Sequence, residues 1–553
     1  MASLEKGSSV SGEGKWRQRI DLDTILVEEL GQLGRYQVRV VLLAVLAVIF
    51  IGWTTNEFVF TAARIRTRCV IPECEQDGVT EFEPEWILNA VPAAGNSFDN
   101  CVRFASVASS RSGHCPAELF DRNRTVNCEG FVYENTNSIV YDFNLACDEW
   151  RRSLIGSVRT FGTLVAMPIT GYMSDRWGRK TVLSIVVFNG AWLGIVRYWA
   201  NTYIGYVIST FIESTLGSGG FACVYVMLME VMGPKYRLPT GAILNCSFAV
   251  SQVLMALIAW AVPNWRKLTL SLYAPQLTAI AFFWIMSESV RWLMSKGRYD
   301  ESEKILKQIA RVNRTTLSEK SLQMLKDCAE EENRRVELKK LQKTNEPLLI
   351  VEVFRHKAVL CRCIVAPVWW ITMTFIYYGL SINSVNMSGN QYLNYMAVSA
   401  VEIPGFWTAV FLMSKVGRKI VLTTAYWICA ACQIGYIFMP NDQYGLSLAV
   451  YLIGKYSIST VVTTLYVYTA ELYPTKHRHT LFAFCSMIGR IGSIIAPLTP
   501  AFGAAVWDEL PFALFAGFGL LSGALVFLTP ETKGAKLPDT MEQADRIGTN
   551  TDT

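Results

Sequence analysis

Long apolar runs alternate with short polar segments along most of this 553-residue chain. Twelve of the runs are each long enough to cross a lipid bilayer as an α-helix, because about 20 apolar residues span the hydrocarbon core. They lie near Val40–Phe60, 153–173, 181–200, 203–227, 239–261, 266–286, 359–380, 391–413, 419–439, 445–469, 480–500 and 509–529. Hydrophobic residues make up 51% of the chain, so the pattern predicts an all-α membrane protein with 12 transmembrane helices.

Two longer polar segments divide this pattern. The segment 63–150 separates the first and second runs, and the segment 287–357 separates the sixth and seventh and has two stretches with helical spacing. The predicted domains are a tail at 1–35, a six-helix half at 36–286 that includes the loop 63–150, a helical linker at 287–357, a second six-helix half at 358–530 and a tail at 531–553. Within the first tail and beyond it, residues 21–37 have the spacing of a helix that lies on a membrane surface.

Basic residues in the short polar segments predict the orientation in the membrane. Lys and Arg follow the second, fourth, eighth and tenth runs, and basic loops face the cytoplasm. Twelve crossings return the chain to its starting side, so both termini are predicted to be cytoplasmic, in a multi-pass protein of the plasma membrane. Arg266 and Lys267 are exceptions that this topology places outside.

Cysteine usage assigns the segment 63–150 to the extracellular side. Six of the 14 cysteines fall in this segment, which also carries the glycosylation acceptor Asn123-Arg124-Thr125. The six are Cys69, Cys74, Cys101, Cys115, Cys128 and Cys147. An even number of cysteines in one polar segment predicts a disulfide framework, of which the sequence leaves the pairing open. A second acceptor pattern at Asn313 lies in the predicted cytoplasmic linker and is rejected on topology.

Short motifs in the first half of the chain recur in the second half at nearly one offset. The matching pairs are Gly178-Arg179-Lys180 with Gly417-Arg418-Lys419 (offset 239), Glu230…Arg237 with Glu471…Arg478 (offset 241), and Glu288 with Glu531 (offset 243). Three pairs in the same order predict two six-helix halves of the same orientation.

The polar hairpin after the second run carries the most specific motif. Residues 171–180 read G-x-x-x-D-R-x-G-R-K, which resembles the loop between helices two and three of major facilitator superfamily transporters. Gly171 predicts close helix contact, and the charges predict a latch of exchangeable ion pairs, since an exposed pair is worth only about 0–1 kcal/mol. The alternative is a topology signal alone. The predicted gating residues are Asp175, Arg176, Arg179, Glu230, Arg237, Glu471 and Arg478.

Further motifs narrow the resemblance. They are the six-cysteine loop, Ser287-Glu288-Ser289-Val290-Arg291-Trp292-Leu293, Tyr377-Tyr378-Gly379-Leu380, Glu402-Ile403-Pro404 and Glu471-Leu472-Tyr473-Pro474-Thr475. Together they resemble the family of organic cation, anion and zwitterion transporters, which includes carnitine transporters. The resemblance implies the major facilitator fold and alternating access around a substrate site between the halves. The chain departs from the family at Ser287, where proline is usual, and in its second loop motif, which lacks Asp-Arg.

Ionisable residues inside apolar runs are costly in lipid, so each is a candidate for function. Glu213, Glu402, Lys455 and Arg490 are the predicted substrate-binding charges, and the alternative for each is a buried ion pair between helices. The resemblance adds that cation transporters of the family typically carry Asp at the Arg490 position, whereas anion and carnitine transporters carry Arg. A guanidinium there offers a planar fork for a substrate carboxylate.

Two aromatic residues on the seventh run and one further charge complete the candidates. Tyr377 and Trp370 are predicted to contact a substrate ammonium through cation–π attraction, with ordinary packing as the alternative. Arg197, near the end of a run, is attributed to snorkelling or to the latch.

The predicted function is transport of small organic ions, with zwitterions such as carnitine or amino-acid-like compounds as the leading substrate class. The alternatives are an organic cation transporter, an organic anion exchanger and a non-transporting receptor. The sequence has no nucleotide, nucleophile or metal motif, so no enzyme activity, cofactor, metal site or nucleic-acid partner is predicted. The predicted partners are the substrate, the lipid bilayer and a coupling ion or exchanged substrate.

Overall fold

The computed structural model describes residues 22–75, 81–94, 97–107, 115–341, 349–440, 443–475, 477–534, 538 and 540–547. In these ranges, eleven helices are long and apolar enough to cross a membrane. A twelfth helix, Glu149–Trp177, lies at the second predicted span and is more polar, because Arg159 and several small polar residues interrupt it. The bundle helices, first to twelfth, are Arg35–Thr61, Glu149–Trp177, Arg179–Trp199, Tyr203–Val231, Pro234–Ala261, Trp265–Ile285, Lys357–Asn386, Gln391–Lys415, Arg418–Ile437, Tyr444–Leu472, Arg478–Val506 and Leu510–Leu528. The prediction of an all-α membrane protein is confirmed, and a helix lies at each of the twelve predicted spans, eleven of them apolar enough to cross a membrane by composition.

The two predicted halves have matching internal packing. In the first half, the fourth bundle helix packs against the second and third, and the third packs against the sixth. In the second half, the tenth packs against the eighth and ninth, and the ninth packs against the twelfth. The same neighbours therefore recur six helices later, as a repeat of parallel orientation requires.

The repeated Gly-Arg-Lys motif marks the same turn in each half. Gly178 and Gly417 precede the third and ninth bundle helices with φ angles of 101° and 112°, a region that residues with a Cβ rarely adopt. Gly171 behaves differently, because no heavy atom lies within 4 Å of the position its Cβ would occupy. The prediction of close helix contact at Gly171 is wrong in this conformation.

Between the first two bundle helices, the chain forms a small domain of paired strands, which we call the cysteine loop. Its antiparallel pairs are Thr67–Cys69 with Phe131–Tyr133, Ala93–Ala94 with Ser97–Phe98, and Val102–Ser106 with Phe120–Asn127. Short helical turns lie at Ile87–Ala90, Ala117–Leu119 and Ile139–Asp142. The disulfides are Cys69–Cys128, Cys74–Cys115 and Cys101–Cys147. All six cysteines predicted to pair are thus paired, while the extracellular placement and a glycan on the exposed Asn123 stay predictions.

The Cys69–Cys128 disulfide is expected to support folding of the cysteine loop rather than transport itself. Cys69 is fully buried in the core of this domain, where it packs with Ile71 and Phe98. Replacing both cysteines by serine is expected to cost about 2–5 kcal/mol, as for native disulfides in small secreted domains. Surface biotinylation should therefore show less protein at the cell surface, with uptake per surface molecule near the wild-type value. The control Cys246→Ser changes an unpaired cysteine, and equal surface levels in the two proteins would contradict this prediction.

A separate compact unit is formed by the ranges 1–39, 229–237 and 288–345, within which residues 22–39, 229–237 and 288–341 are described. Its helices include Leu22–Glu28, Val290–Ser295, Tyr299–Asn313 and Glu319–Leu341, which confirms the two helical stretches predicted for the linker. Asp23 forms ion pairs with Arg237 and with Arg291. The Asn313 side-chain amide donates a hydrogen bond to the Leu30 carbonyl. Asn313 therefore holds this unit together and is not a glycosylation site in this interpretation.

The short helix at Leu22–Glu28 does not present a free apolar face. Leu22, Ile25 and Leu26 are each at most 3% exposed, and Leu30 just beyond the helix is fully buried. Protein therefore covers Leu22, Ile25, Leu26 and Leu30, which contradicts the predicted membrane-surface helix for this part of 21–37, whereas Leu33 is 48% exposed.

Candidate functional site

The two halves touch at the loop end, which we define as the bundle-helix ends at Thr61 and Glu149 that carry the cysteine loop. The rings of Phe60 and Tyr395 meet edge to face at 5.1 Å, and those of Trp150 and Phe502 at 5.3 Å. Deeper along the second helix, the Ser157 hydroxyl donates to the Ile494 carbonyl at 2.7 Å. Because each contact joins one half to the other, the space between the halves is narrowed at the loop end.

A buried ion pair lies inside the second half, between the eighth and tenth bundle helices. The Lys455 ammonium is 2.9 Å from a carboxylate oxygen of Glu402, and both side chains are fully buried. Lys455 also donates to the Tyr377 carbonyl and to the Ser381 hydroxyl, so its charge is held by three oxygens. Two of the predicted substrate-binding charges thus lie together in the structure. They form a buried ion pair, which was the alternative interpretation of each.

Tyr377 belongs to the same cluster. Its hydroxyl donates to Glu402 at 2.6 Å, and its ring faces the Lys455 ammonium at 3.7 Å from the centroid. The cation–π contact predicted for a substrate is therefore occupied by a side chain of the protein. Gln252 of the first half also donates to Glu402, which links this cluster to the other half.

Arg490 differs from these charges because no carboxylate in the described part of the chain lies within ion-pairing distance of it. Its side chain is partly exposed, and its guanidinium lies within electrostatic range of the Tyr466 side chain. Tyr466 is 41% exposed, and its ring also packs against the rings of Trp370 and Phe482. A half-buried guanidinium without a carboxylate partner among the described residues is suited to bind the carboxylate of a small organic ion.

Two glycines set the position of Arg490. A Cβ on Gly489 would lie 2.8 Å from the Trp370 Cβ, and one on Gly492 would lie 2.1 Å from the Ile371 carbonyl oxygen. The eleventh helix can therefore lie directly against the seventh, and the intervening Arg490 is held beside it. Trp370 is only 1% exposed and packs on the Tyr466 ring at 4.7 Å. The buried indole of Trp370 thus packs against the Tyr466 ring and holds it in place. Direct contact of Trp370 with a substrate stays a prediction.

Glu213 is engaged by two arginines of its own half. Arg159 approaches it at 2.6 Å and Arg197 at 3.6 Å, and Arg197 also pairs with Glu57 at 2.5 Å. Tyr273 donates to the Glu57 carboxylate as well, so the network ties the first four bundle helices to the sixth. Two positive and two negative charges balance within it. The described residues show no ion pair between Glu213 and Arg490, and substrate binding by Glu213 stays a prediction.

The sequence did not single out Arg159 or Glu57 of this network, and the prediction that Arg197 snorkels was wrong. Arg159 lies inside the second predicted run, so the signal that selected Glu213 applies equally to it. Glu57 lies near the end of the first run, where the sequence does not separate a buried charge from an interfacial one. Arg197 is 1% exposed, which contradicts snorkelling because its guanidinium faces carboxylates inside the protein.

The predicted gating residues have partners close by in each unit. Arg179 pairs with Asp175 at 2.9 Å, and Arg176 donates to the Tyr172 hydroxyl. In the second half, Glu471 pairs with Arg418 at 3.0 Å, while Arg478 donates to the Tyr473 carbonyl. Within the other compact unit, Arg237 pairs with Asp23, and Glu230 lies in the same unit. A gating role for all seven residues stays a prediction.

Asp175→Asn is expected to slow the transport cycle without weakening substrate binding. Asp175 is 76% exposed, so its ion pair with Arg179 is weak and breaks easily. We expect the maximal uptake rate per surface molecule to fall about two- to fivefold, with an unchanged equilibrium dissociation constant. Radioligand binding and initial uptake rates measure the two quantities. A variant that transports at the wild-type rate would contradict a role of Asp175 in the latch.

Comparison with known proteins places this arrangement among membrane transporters. The family model described as Major Facilitator Superfamily matches residues 150–497. The organic cation transporter protein of Drosophila melanogaster is 30% identical over 534 residues, which cover 95% of this chain and 94% of that protein. Human solute carrier family 22 member 2 is 28% identical over 511 residues, which cover 90% of this chain and 89% of that protein.

A solved structure supports the fold alone. The inward-open xylose transporter XylE from E. coli superposes with a TM-score of 0.60 at 14% identity, and the match covers 92% of this chain and 99% of that one.

Proposed function

We propose that this chain, which belongs to the major facilitator superfamily and, within it, to the solute carrier family 22 group, carries small organic cations by alternating access. It is therefore a multi-pass membrane transporter and not an enzyme. The proposal places it in the plasma membrane with both termini in the cytoplasm, as the basic loops predict.

The observation that carries the cation proposal is the similarity to a protein named organic cation transporter over 95% of the chain. The charges in the membrane favour zwitterions over organic cations, whereas the relatives favour organic cations. In this proposal the partly exposed rings of Tyr225 and Tyr466 receive an ammonium group through cation–π contacts. Glu402 and Lys455 cancel each other's charge and would leave recognition to these aromatic rings.

In this proposal, contacts at the loop end belong to one of two access states. The substrate would enter from the opposite end, bind near Tyr466, and leave after the two halves rock about it. The Glu402–Lys455 pair and the Glu57–Arg197–Glu213–Arg159 network lie within single halves, so they would move as parts of rigid bodies.

Zwitterions are a second candidate class, and Arg490 is the observation that favours them. Its guanidinium has no carboxylate partner among the described residues, so a substrate carboxylate could supply one. A simple cation gains nothing from this charge and is repelled by it, whereas a compound with both signs can place its ammonium on the tyrosine rings.

Uptake by cells that express the protein tests the proposal. The panel holds tetraethylammonium, carnitine, β-alanine and a dicarboxylate, each radiolabelled and compared with cells that carry an empty vector. The proposal expects saturable uptake of tetraethylammonium. Uptake of carnitine without tetraethylammonium would move the assignment to zwitterions, and uptake of the dicarboxylate alone would contradict both.

A further inference from the structure

Gln252 of the fifth bundle helix joins the two halves inside the membrane region. Its side-chain amide donates to the Glu402 carboxylate at 3.3 Å, and its carbonyl oxygen accepts from the Tyr395 hydroxyl at 3.1 Å. The same carbonyl oxygen accepts from the Asn56 amide at 3.2 Å, within its own half. Gln252 is 1% exposed, so these contacts are shielded from water.

The position of these bonds makes them sensitive to rocking of the halves. Tyr395 lies near the start of the eighth helix at the loop end, and the Phe60–Tyr395 ring contact lies beside it. If the loop end opens, the fifth and eighth helices must separate there, and both bonds from Gln252 to the second half are lost. Glu402 keeps Tyr377 and Lys455 as partners, because these belong to its own half.

The geometry points to Gln252 as a positioning residue for the transport cycle. It stabilises the state that is closed at the loop end, and it couples this closure to the Glu402–Lys455 pair through its hydrogen bond to Glu402. This inference rests on the proposed alternating access, but not on the identity of the substrate. An interhelical hydrogen bond in a membrane shifts an equilibrium about three- to twentyfold, so two such bonds are enough to set which access state dominates.

A distance measurement between the halves tests this inference without any substrate. Spin labels carried by non-natural amino acids replace Ile204 and Val506, which are 69% and 76% exposed at the loop end of opposite halves. In the full-length protein in lipid nanodiscs, the ratio of short to long distances reports closed against open loop ends. We expect Gln252→Met to lower this ratio about three- to twentyfold. Gln252→Glu should lower it further, because it sets a second carboxylate against Glu402.

Gln433 supplies the matched control. It is a fully buried glutamine of the ninth bundle helix, and it packs beside Gly454 of the tenth helix in its own half. Gln433→Met should leave the distance ratio at the wild-type value. A Gln252→Met protein with the wild-type ratio would overturn the inference, and so would an equal shift in both variants. Failure of tetraethylammonium uptake would count against the proposed substrate but would leave this distance result unaffected.

Discussion

Lys455→Met is expected to destabilise the protein by about 3–5 kcal/mol and to remove most of it from the cell surface. The substitution leaves the Glu402 carboxylate fully buried, with hydrogen bonds from Tyr377 and Gln252 but without its counter-charge. An uncompensated charge in the interior is far less favourable than either an ion pair or an apolar replacement. Thermal unfolding of the purified protein and surface biotinylation measure the loss.

The double variant Lys455→Met/Glu402→Gln is the control for this prediction. It removes both charges, so most of the lost stability should return, while uptake should stay at least about tenfold below wild type because the cluster around Tyr377 is dismantled. A single Lys455→Met protein that unfolds at the wild-type temperature would contradict the role assigned to the pair. So would a double variant that is less stable than the single one.

Arg490→Asp is expected to reverse the preference of the site for substrate charge. Loss of a bidentate, charge-assisted contact should reduce carnitine uptake about ten- to a hundredfold, provided the wild-type protein carries carnitine. Uptake of tetraethylammonium should be unchanged or higher, because a repelling charge beside Tyr466 is replaced by an attracting one. Initial rates for the two labelled compounds, corrected for surface protein, provide the comparison.

Arg490→Lys is the matched variant, since it keeps the charge and loses the planar fork. It should reduce carnitine uptake less than Arg490→Asp and leave tetraethylammonium uptake close to wild type. If Arg490→Asp leaves the uptake of both compounds unchanged, Arg490 does not face the substrate. If it reduces tetraethylammonium uptake as strongly as carnitine uptake, its effect is on folding or cycling rather than on recognition.

The helices were predictable because an apolar run of bilayer length has one way to satisfy its backbone in lipid. The twelve runs, the linker helices and the parallel repeat all follow from hydropathy and motif spacing. The pairing in the cysteine loop was not predictable, since it depends on strand contacts such as Thr67–Cys69 with Phe131–Tyr133, which bring Cys69 close to Cys128. No periodicity in that segment reveals which strands meet.

The candidate charges were found from sequence, but their partners were not. A charge within an apolar run signals that its helix faces protein or water, which selected Glu402, Lys455, Glu213 and Arg490. The rotation of each helix about its axis then decides which charges meet, and membrane helices with mixed polar faces do not encode this rotation plainly. Glu213 therefore lies against Arg159 and Arg197, while Arg490 lies near Tyr466.

Counterflow in liposomes that contain the purified protein tests the proposed transport most directly. Liposomes loaded with unlabelled tetraethylammonium are diluted into a trace of the labelled compound, so that only a carrier that alternates between two access states exchanges them. The proposal predicts a transient accumulation of label above its equilibrium level, absent from protein-free liposomes. Binding of the label without accumulation would contradict transport of organic cations by alternating access.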